Sequence, residues 1–562
     1  MIARGVACGF PARCLRRAAP TAARVAGTRR VHVQPRPAAE VQVATTEASE
    51  GSPAGSKFTL GEDSTSTTAA AAPSSYAELR RRPINFSPET RYTVDNVAEA
   101  DAERFQLHSS VPFWRTYGTN MDVRSMGTGA EDSRRAPAST GETALNLLTS
   151  SALADAESAA YWAYHVGRTG FFLTTSAAGA LAHHLSEQLS GGGRRTPFQN
   201  LSANAQAELT NRLYEGVAMF QQDLAAIKAG AYKLPWDMTT PTHRQFNPLY
   251  VASKATSFVG EAIGTLNRRI AQADASNWFS SSMYPKYYMD NTYHYQTDGW
   301  LSSRSANVYE FSTESLFFGR QDAMQRTVLL AMHEWLAETG RDPSSMRLLE
   351  VACGTGRFHT FIKDNYPEMQ TVASDLSPFY LDAARKNVAY WKRQRQSGDL
   401  LGTDLAGAGT TFMQCAAESV PAPDESFDVV VCVYLFHELP EEARIACAKE
   451  WARVLRPGGL VVLADSCQLG DRPAWDPTLG SFGNFNEPHY RNYIACDIGG
   501  LMDSVGLQPR TKYLASATKA LSFVKRGGAP APADETAAAD AYLAGEGRAE
   551  EAAEGAGDPR LN

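Results

Sequence analysis

Two kinds of apolar spacing divide this chain. In its first half the apolar residues recur at three- and four-residue steps, the period of a helix that buries one face. Leu209, Leu213, Val217, Phe220, Leu224 and Ile227 mark such a face and predict a helix over 207–230, ended by glycine. Helical patterns also cover 143–167, 174–189 and 253–271, with shorter candidates at 77–81 and 94–105 and a polar loop at 127–139. The stretch 170–181 is apolar, but Arg168 and His183-His184 bracket it and it falls short of the ~20 residues a membrane span needs, so a buried helix is expected.

In the second half, short apolar runs alternate with helical spacing. Leu348, Leu349, Val351 and Ala352 have the profile of a strand buried on both faces, and Thr371 to Ala373, Phe412 to Gln414, Phe427 to Val433 and Leu460 to Leu463 repeat it. Between them lie helical stretches, one over 357–365 with Phe358, Phe361 and Ile362 inward, another over 441–455 ended by Pro457-Gly458-Gly459. A helix over 490–505 and strands over 511–515 and 520–525 complete the alternation. Such an order predicts an α/β fold: a doubly wound, seven-stranded, mostly parallel sheet with one antiparallel strand, preceded by a mainly helical accessory domain.

The first strand runs straight into a turn, Gly354-Thr355-Gly356, where a missing Cβ lets backbone approach a ligand. Asp375 ends the next strand about 20 residues on, the place where doubly wound sheets grip a ribose diol. His359 stands where a dinucleotide fingerprint has its third glycine, and no Walker loop is present, so a pyrophosphate ligand is disfavoured. Glu350 with Cys353-Gly354-Thr355-Gly356 resembles the first motif of class I S-adenosylmethionine-dependent methyltransferases. Glu418-Ser-Val-Pro-Ala-Pro-Asp-Glu-Ser-Phe-Asp428 and Arg453-Val-Leu-Arg-Pro-Gly-Gly459 follow in register, and the whole resembles the ubiquinone and menaquinone biosynthesis (type 11) branch over 305–526.

That resemblance implies S-adenosylmethionine as cofactor, with Gly354 and Gly356 against the methionine and ribose, Glu350 on the methionine amino side and Asp375 on both ribose hydroxyls. Leu376 and Ala417 would sandwich the adenine, and Cys432 would lie behind the methionine. The family usually has an acid where this chain has Ala416, which leaves the adenine amino group without its expected partner. His437, just past the fourth strand, is the candidate base, able to titrate near neutrality and oriented by Glu438. His489, beside Glu487, is a second candidate.

Outside the sheet, Trp236, Asp237 and Thr239 sit in a loop, and Tyr284, Tyr287, Tyr288, Tyr293, His294, Tyr295 and Trp300 form an aromatic run. Their rings and polar tips suit either a pocket for a flat or prenylated acceptor or packing onto the sheet. A net charge of -7 argues against nucleic acid as partner. Cysteines are scattered, with no C-x-x-C pair or Cys/His cluster along the sequence, so neither disulfides nor a metal is expected.

Residues 1–39 are rich in arginine and alanine and lack acids, which predicts a transit peptide, to a chloroplast or alternatively a mitochondrion. The expected division is leader and linker 1–75, accessory domain 76–304, methyltransferase domain 305–526 and solvated tail 527–562. The function expected is methyl transfer to a small lipophilic or aromatic acceptor in an organelle, without a membrane span but compatible with peripheral membrane contact. A protein or tRNA acceptor and a non-catalytic cofactor-binding protein are the alternatives.

Overall fold

The computed structural model describes residues 91–94, 96–117, 146, 148–189, 203–271, 284–289, 291–296, 298–397 and 409–527. The expected leader, linker and tail, the helix at 77–81 and the loop at 127–139 lie outside them.

Among the described residues, eight strands form one sheet: β1 (Gln106–Leu107), β2 (Arg347–Val351), β3 (Gln370–Asp375), β4 (Thr410–Gln414), β5 (Phe427–Val433), β6 (Leu455–Ser466), β7 (Leu507–Ala515) and β8 (Thr518–Lys525). Their order is β1-β7-β8-β6-β5-β2-β3-β4, and only β8 runs antiparallel to its neighbours. The seven expected strands are therefore joined by an eighth, β1. Two exposed residues are too few for alternation to register in sequence. β1 is fixed by backbone pairing to β7 and by Phe105, which packs edge-on against Phe523 with centroids 5.4 Å apart.

The central strands are mostly apolar because both faces are covered, with Arg347, Glu350 and Asp428 as the charged exceptions in β2 and β5. On β5, Val429 and Val431 join one core with Leu329, Met332 and Phe361, while Val430 and Cys432 join the other with Trp451, Leu501 and Met502. Chain order reverses at β2, with β3 on one side and β5 on the other, and a ligand crevice opens outside the carboxyl ends at such a point.

Three local readings are corrected. The strand expected at 460–463 runs from Leu455 to Ser466, carrying Pro457-Gly458-Gly459 as an irregularity within it. A Cβ on Gly459 would lie 2.8 Å from the Asp428 carbonyl, so the glycines there serve the sheet rather than end the helix. The helix expected at 490–505 is two pieces, Tyr490–Tyr493 and Ile498–Ser504, because Asp497 caps the second, accepting from the Gly500 amide at 2.8 Å. In the first half, one helix, Ala156–Leu189, runs through the stretch read as two.

The helices Ala156–Leu189 and Ala203–Lys228 share the Val429 core through Tyr161, Trp162, Phe220 and Leu224. A buried ion pair closes this seam: Arg326 Nη2 lies 2.6 Å from Asp223 Oδ2, and the same carboxylate accepts from Tyr161 Oη at 2.6 Å and Tyr232 Oη at 2.9 Å. The loop with Trp236 and Asp237 clamps the helix after the glycine turn. Trp236 donates to Thr360 at 2.9 Å, and Arg357 donates to Asp237 at 2.5 Å and Asp322 at 2.6 Å.

Candidate functional site

The turn after β2 separates the two glycines by role. Both have positive φ, 57° at Gly354 and 71° at Gly356. A Cβ on Gly356 would lie 2.9 Å from the Ala384 Cβ, so this glycine is required for packing against the helix Pro378–Ser397. A Cβ on Gly354 would meet nothing nearer than Tyr309, at 3.8 Å, and would project into the crevice. Gly354 is thus the crevice-facing position of the pair.

Asp375 stands at the end of β3 as expected. Its Oδ2 accepts from the Gly354 amide at 2.9 Å and its Oδ1 from the Ser377 amide at 2.8 Å, which ties turn and acid into one unit. Burial pushes its carboxyl up to about 7 despite those two amides, with Glu438 and Glu350 adding to the rise. Leu376 and Ala417 line the same crevice, as do Trp300 and Glu418.

Two groups there have unmet hydrogen-bonding capacity: Glu418 Oε2, an acceptor, and Trp300 Nε1, a donor, are buried without partners. The other oxygen of Glu418 accepts from Tyr287 at 2.7 Å. Orphaned polar atoms beside an acid and an open glycine fit a polar nucleoside, S-adenosylmethionine included. Glu418, two residues past the Ala416 gap, is a site residue that sequence reasoning passed over, although it opens a quoted motif.

Glu350 is buried, with Oε2 2.6 Å from His359 Nδ1, and it lines the adjoining space rather than the crevice. His359 therefore replaces the third glycine as a core partner, its Nε2 2.9 Å from Thr371. Cys432 is corrected: it is fully buried in the Trp451 core and lines neither space, and burial raises its thiol. Val433, one residue on, faces both.

His437 and Glu438 also differ from expectation. Glu438 does not orient the imidazole; Asp465 does, with Oδ1 2.6 Å from His437 Nδ1. Burial would lower the His437 imidazolium, but the Asp465 charge and hydrogen bond, helped by Glu487 and Glu438, outweigh it and push the group up to about 10. At neutral pH this imidazole holds its proton and is no general base. Glu438 is the member of the pair on the crevice wall, and its Oε2 accepts from Tyr288 at 3.2 Å. His489, the second candidate, lines neither space, and burial lowers it to about 4.

The aromatic run packs onto the sheet and roofs the crevice at once. Tyr287, Tyr288 and Trp300 line it, and Tyr293 donates to the Glu438 carbonyl at 2.9 Å. Past Ala352, Gly354, Tyr309 and Val433 the crevice adjoins a cavity of about 620 Å³, within the usual ligand range of ~300–1,000 Å³. Phe171, Phe172, Phe246, Tyr250 and Phe311 line it, with charges of both signs, among them Arg244, Lys254, Glu310 and Glu314. Among the described residues, no helix is long and apolar enough to cross a membrane.

Residues 349–463 match the model of a family described as a methyltransferase domain. The chain is 34% identical over 125 residues to a demethylmenaquinone methyltransferase of Deinococcus radiodurans, covering 22% of this chain and 44% of that protein. It is 28% identical over 153 residues to the ubiquinone/menaquinone biosynthesis C-methyltransferase UbiE of Desulfotalea psychrophila, covering 26% and 54%. A crystal structure of magnesium protoporphyrin IX methyltransferase from Synechocystis matches with 19% identity and a TM-score of 0.27, over 36% of this chain and 83% of that one. The chain spans about half the length of the curated relatives it matches. The matched region resembles the class I methyltransferases of ubiquinone and menaquinone biosynthesis, the resemblance expected from its motifs.

Proposed function

We propose that this protein transfers a methyl group from S-adenosylmethionine to a small lipophilic or aromatic acceptor, in an organelle reached through its basic leader. The carrying observation is the unit of Gly354, Asp375 and Ser377 at the reversal of strand order, next to the partnerless Glu418 and Trp300. When bound, the cofactor supplies a methyl already activated on a sulfonium. Asp375 and the Gly354 backbone would hold the ribose and Glu418 the adenine amino group, while Tyr287, Tyr288 and Trp300 exclude water.

The acceptor would enter from the cavity of about 620 Å³, whose phenyl walls suit a flat or prenylated ring. Holding the two reactants in line can supply ~7–11 kcal/mol, so a side-chain base is not obligatory. If a proton must leave, Glu438 is the wall carboxylate placed to take it.

The test is turnover of labelled S-adenosylmethionine by the full chain in an extract of organelle small molecules. Labelled product extractable into organic solvent is expected. Cofactor binding without any S-adenosylhomocysteine would refute catalysis. Label lost after protease or nuclease treatment of the extract would move the acceptor to protein or RNA.

A further inference from the structure

Behind the Glu438 wall, three side chains from distant parts of the chain converge. His294, His437 and Glu487 each offer a ligand atom, and these atoms lie within 4.8 Å of one another. We propose that they form a binding site for a divalent cation of the zinc type.

The donor set is two imidazoles and one carboxylate, which suits zinc and neighbouring transition metals and does not suit magnesium or calcium, whose shells are all oxygen. Glu487 is 2% exposed, its Oε1 lies 3.0 Å from His294 Nδ1, and its Oε2 is buried with no partner. A buried carboxylate oxygen without a hydrogen-bond partner calls for an unseen cation or water.

Each imidazole also has a carboxylate near one ring nitrogen, which leaves the other for a cation. His437 Nδ1 lies 2.6 Å from Asp465, so Nε2 becomes the ligand once the cation displaces the proton that this imidazole otherwise holds. His294 Nε2 lies 3.6 Å from Glu438, which leaves Nδ1, the atom nearest Glu487. A carboxylate behind a ligating histidine fixes ring orientation and raises ligand basicity. Three protein donors leave a fourth position for water.

The cation would join three elements. His294 belongs to the aromatic roof and is held at φ 58°, His437 follows β5, and Glu487 precedes the helix Tyr490–Tyr493. Binding would fasten the roof over the crevice, because Glu438 touches both the cluster and, through Tyr288, the crevice lining. The site itself does not depend on the methyl-transfer reading.

The experiment uses the full chain stripped with a chelator and titrated with zinc alone by calorimetry, with metal content checked by mass spectrometry. One equivalent is expected, together with a rise in melting temperature. Glu487→Gln and His294→Gln should each weaken zinc by at least 10-fold to 100-fold, the loss typical even of outer-shell changes, and Asp465→Asn by about that range. His294 is a third exposed, so its variant should fold even if the Glu487 variant does not. Asp375→Ala should lose cofactor affinity and keep its zinc, so failure of the cofactor reading and failure of this one are told apart. No zinc bound by the wild-type chain, or equal zinc binding in wild type and the folded His294 variant, would overturn the proposal.

Discussion

Replacing Gly356 by alanine tests whether the turn after β2 is held by packing or by the ligand. The added Cβ would stand 2.9 Å from the Ala384 Cβ and 3.0 Å from its Cα. Neither is the movable end of a flexible side chain, so the helix Pro378–Ser397 must shift. Overpacking of this kind costs ~1–3 kcal/mol. The φ of 71° adds the left-handed penalty of ~1–2 kcal/mol, and the lower entropy of the unfolded alanine chain returns ~0.4–1 kcal/mol. The net expectation is about 1–5 kcal/mol of lost stability, read as a lower urea midpoint. Gly354→Ala carries the backbone penalty alone, because its Cβ would meet only Tyr309 at 3.8 Å. It should cost roughly 0–1.6 kcal/mol while weakening S-adenosylmethionine binding in calorimetry. A Gly356→Ala protein as stable as wild type, or a Gly354→Ala protein with unchanged cofactor affinity, would refute the division of roles.

Asp375→Ala should weaken cofactor binding by ~1.5–3 kcal/mol, the value of charged hydrogen bonds, and an unchanged dissociation constant would remove Asp375 from the site. The free Asp375 carboxyl is raised to about 7 and the ribose hydroxyls favour its ionised form. Cofactor affinity should therefore fall as pH drops below about 7, by up to about tenfold per pH unit, and a flat calorimetric profile from pH 6 to 8 would contradict this. Asp223→Ala strands the buried Arg326 guanidinium, so thermal unfolding should report a loss of ~3–5 kcal/mol. Cys432→Ala should leave the cofactor dissociation constant unchanged, because the side chain lines neither the crevice nor the cavity.

Seven of the eight described strands were legible in the amino-acid pattern, and β1 was not. Strands such as Phe427–Val433 are apolar at every position but Asp428 because both faces are covered, and that signal is local and strong. The sequence by itself also determined the glycine turn and Asp375, since a backbone constraint must be written at the residue that bears it. Tertiary structure decided what depends on distance through space. Gly356 answers to Ala384, His437 to Asp465 and Glu350 to His359, and no spacing along the chain encodes those contacts. The convergence of His294, His437 and Glu487 is of the same kind, as are the roles of Glu418 and of the aromatic roof. A side chain's charge state and ligand follow from its neighbours' fields and from water's exclusion, and only the folded chain brings those neighbours together.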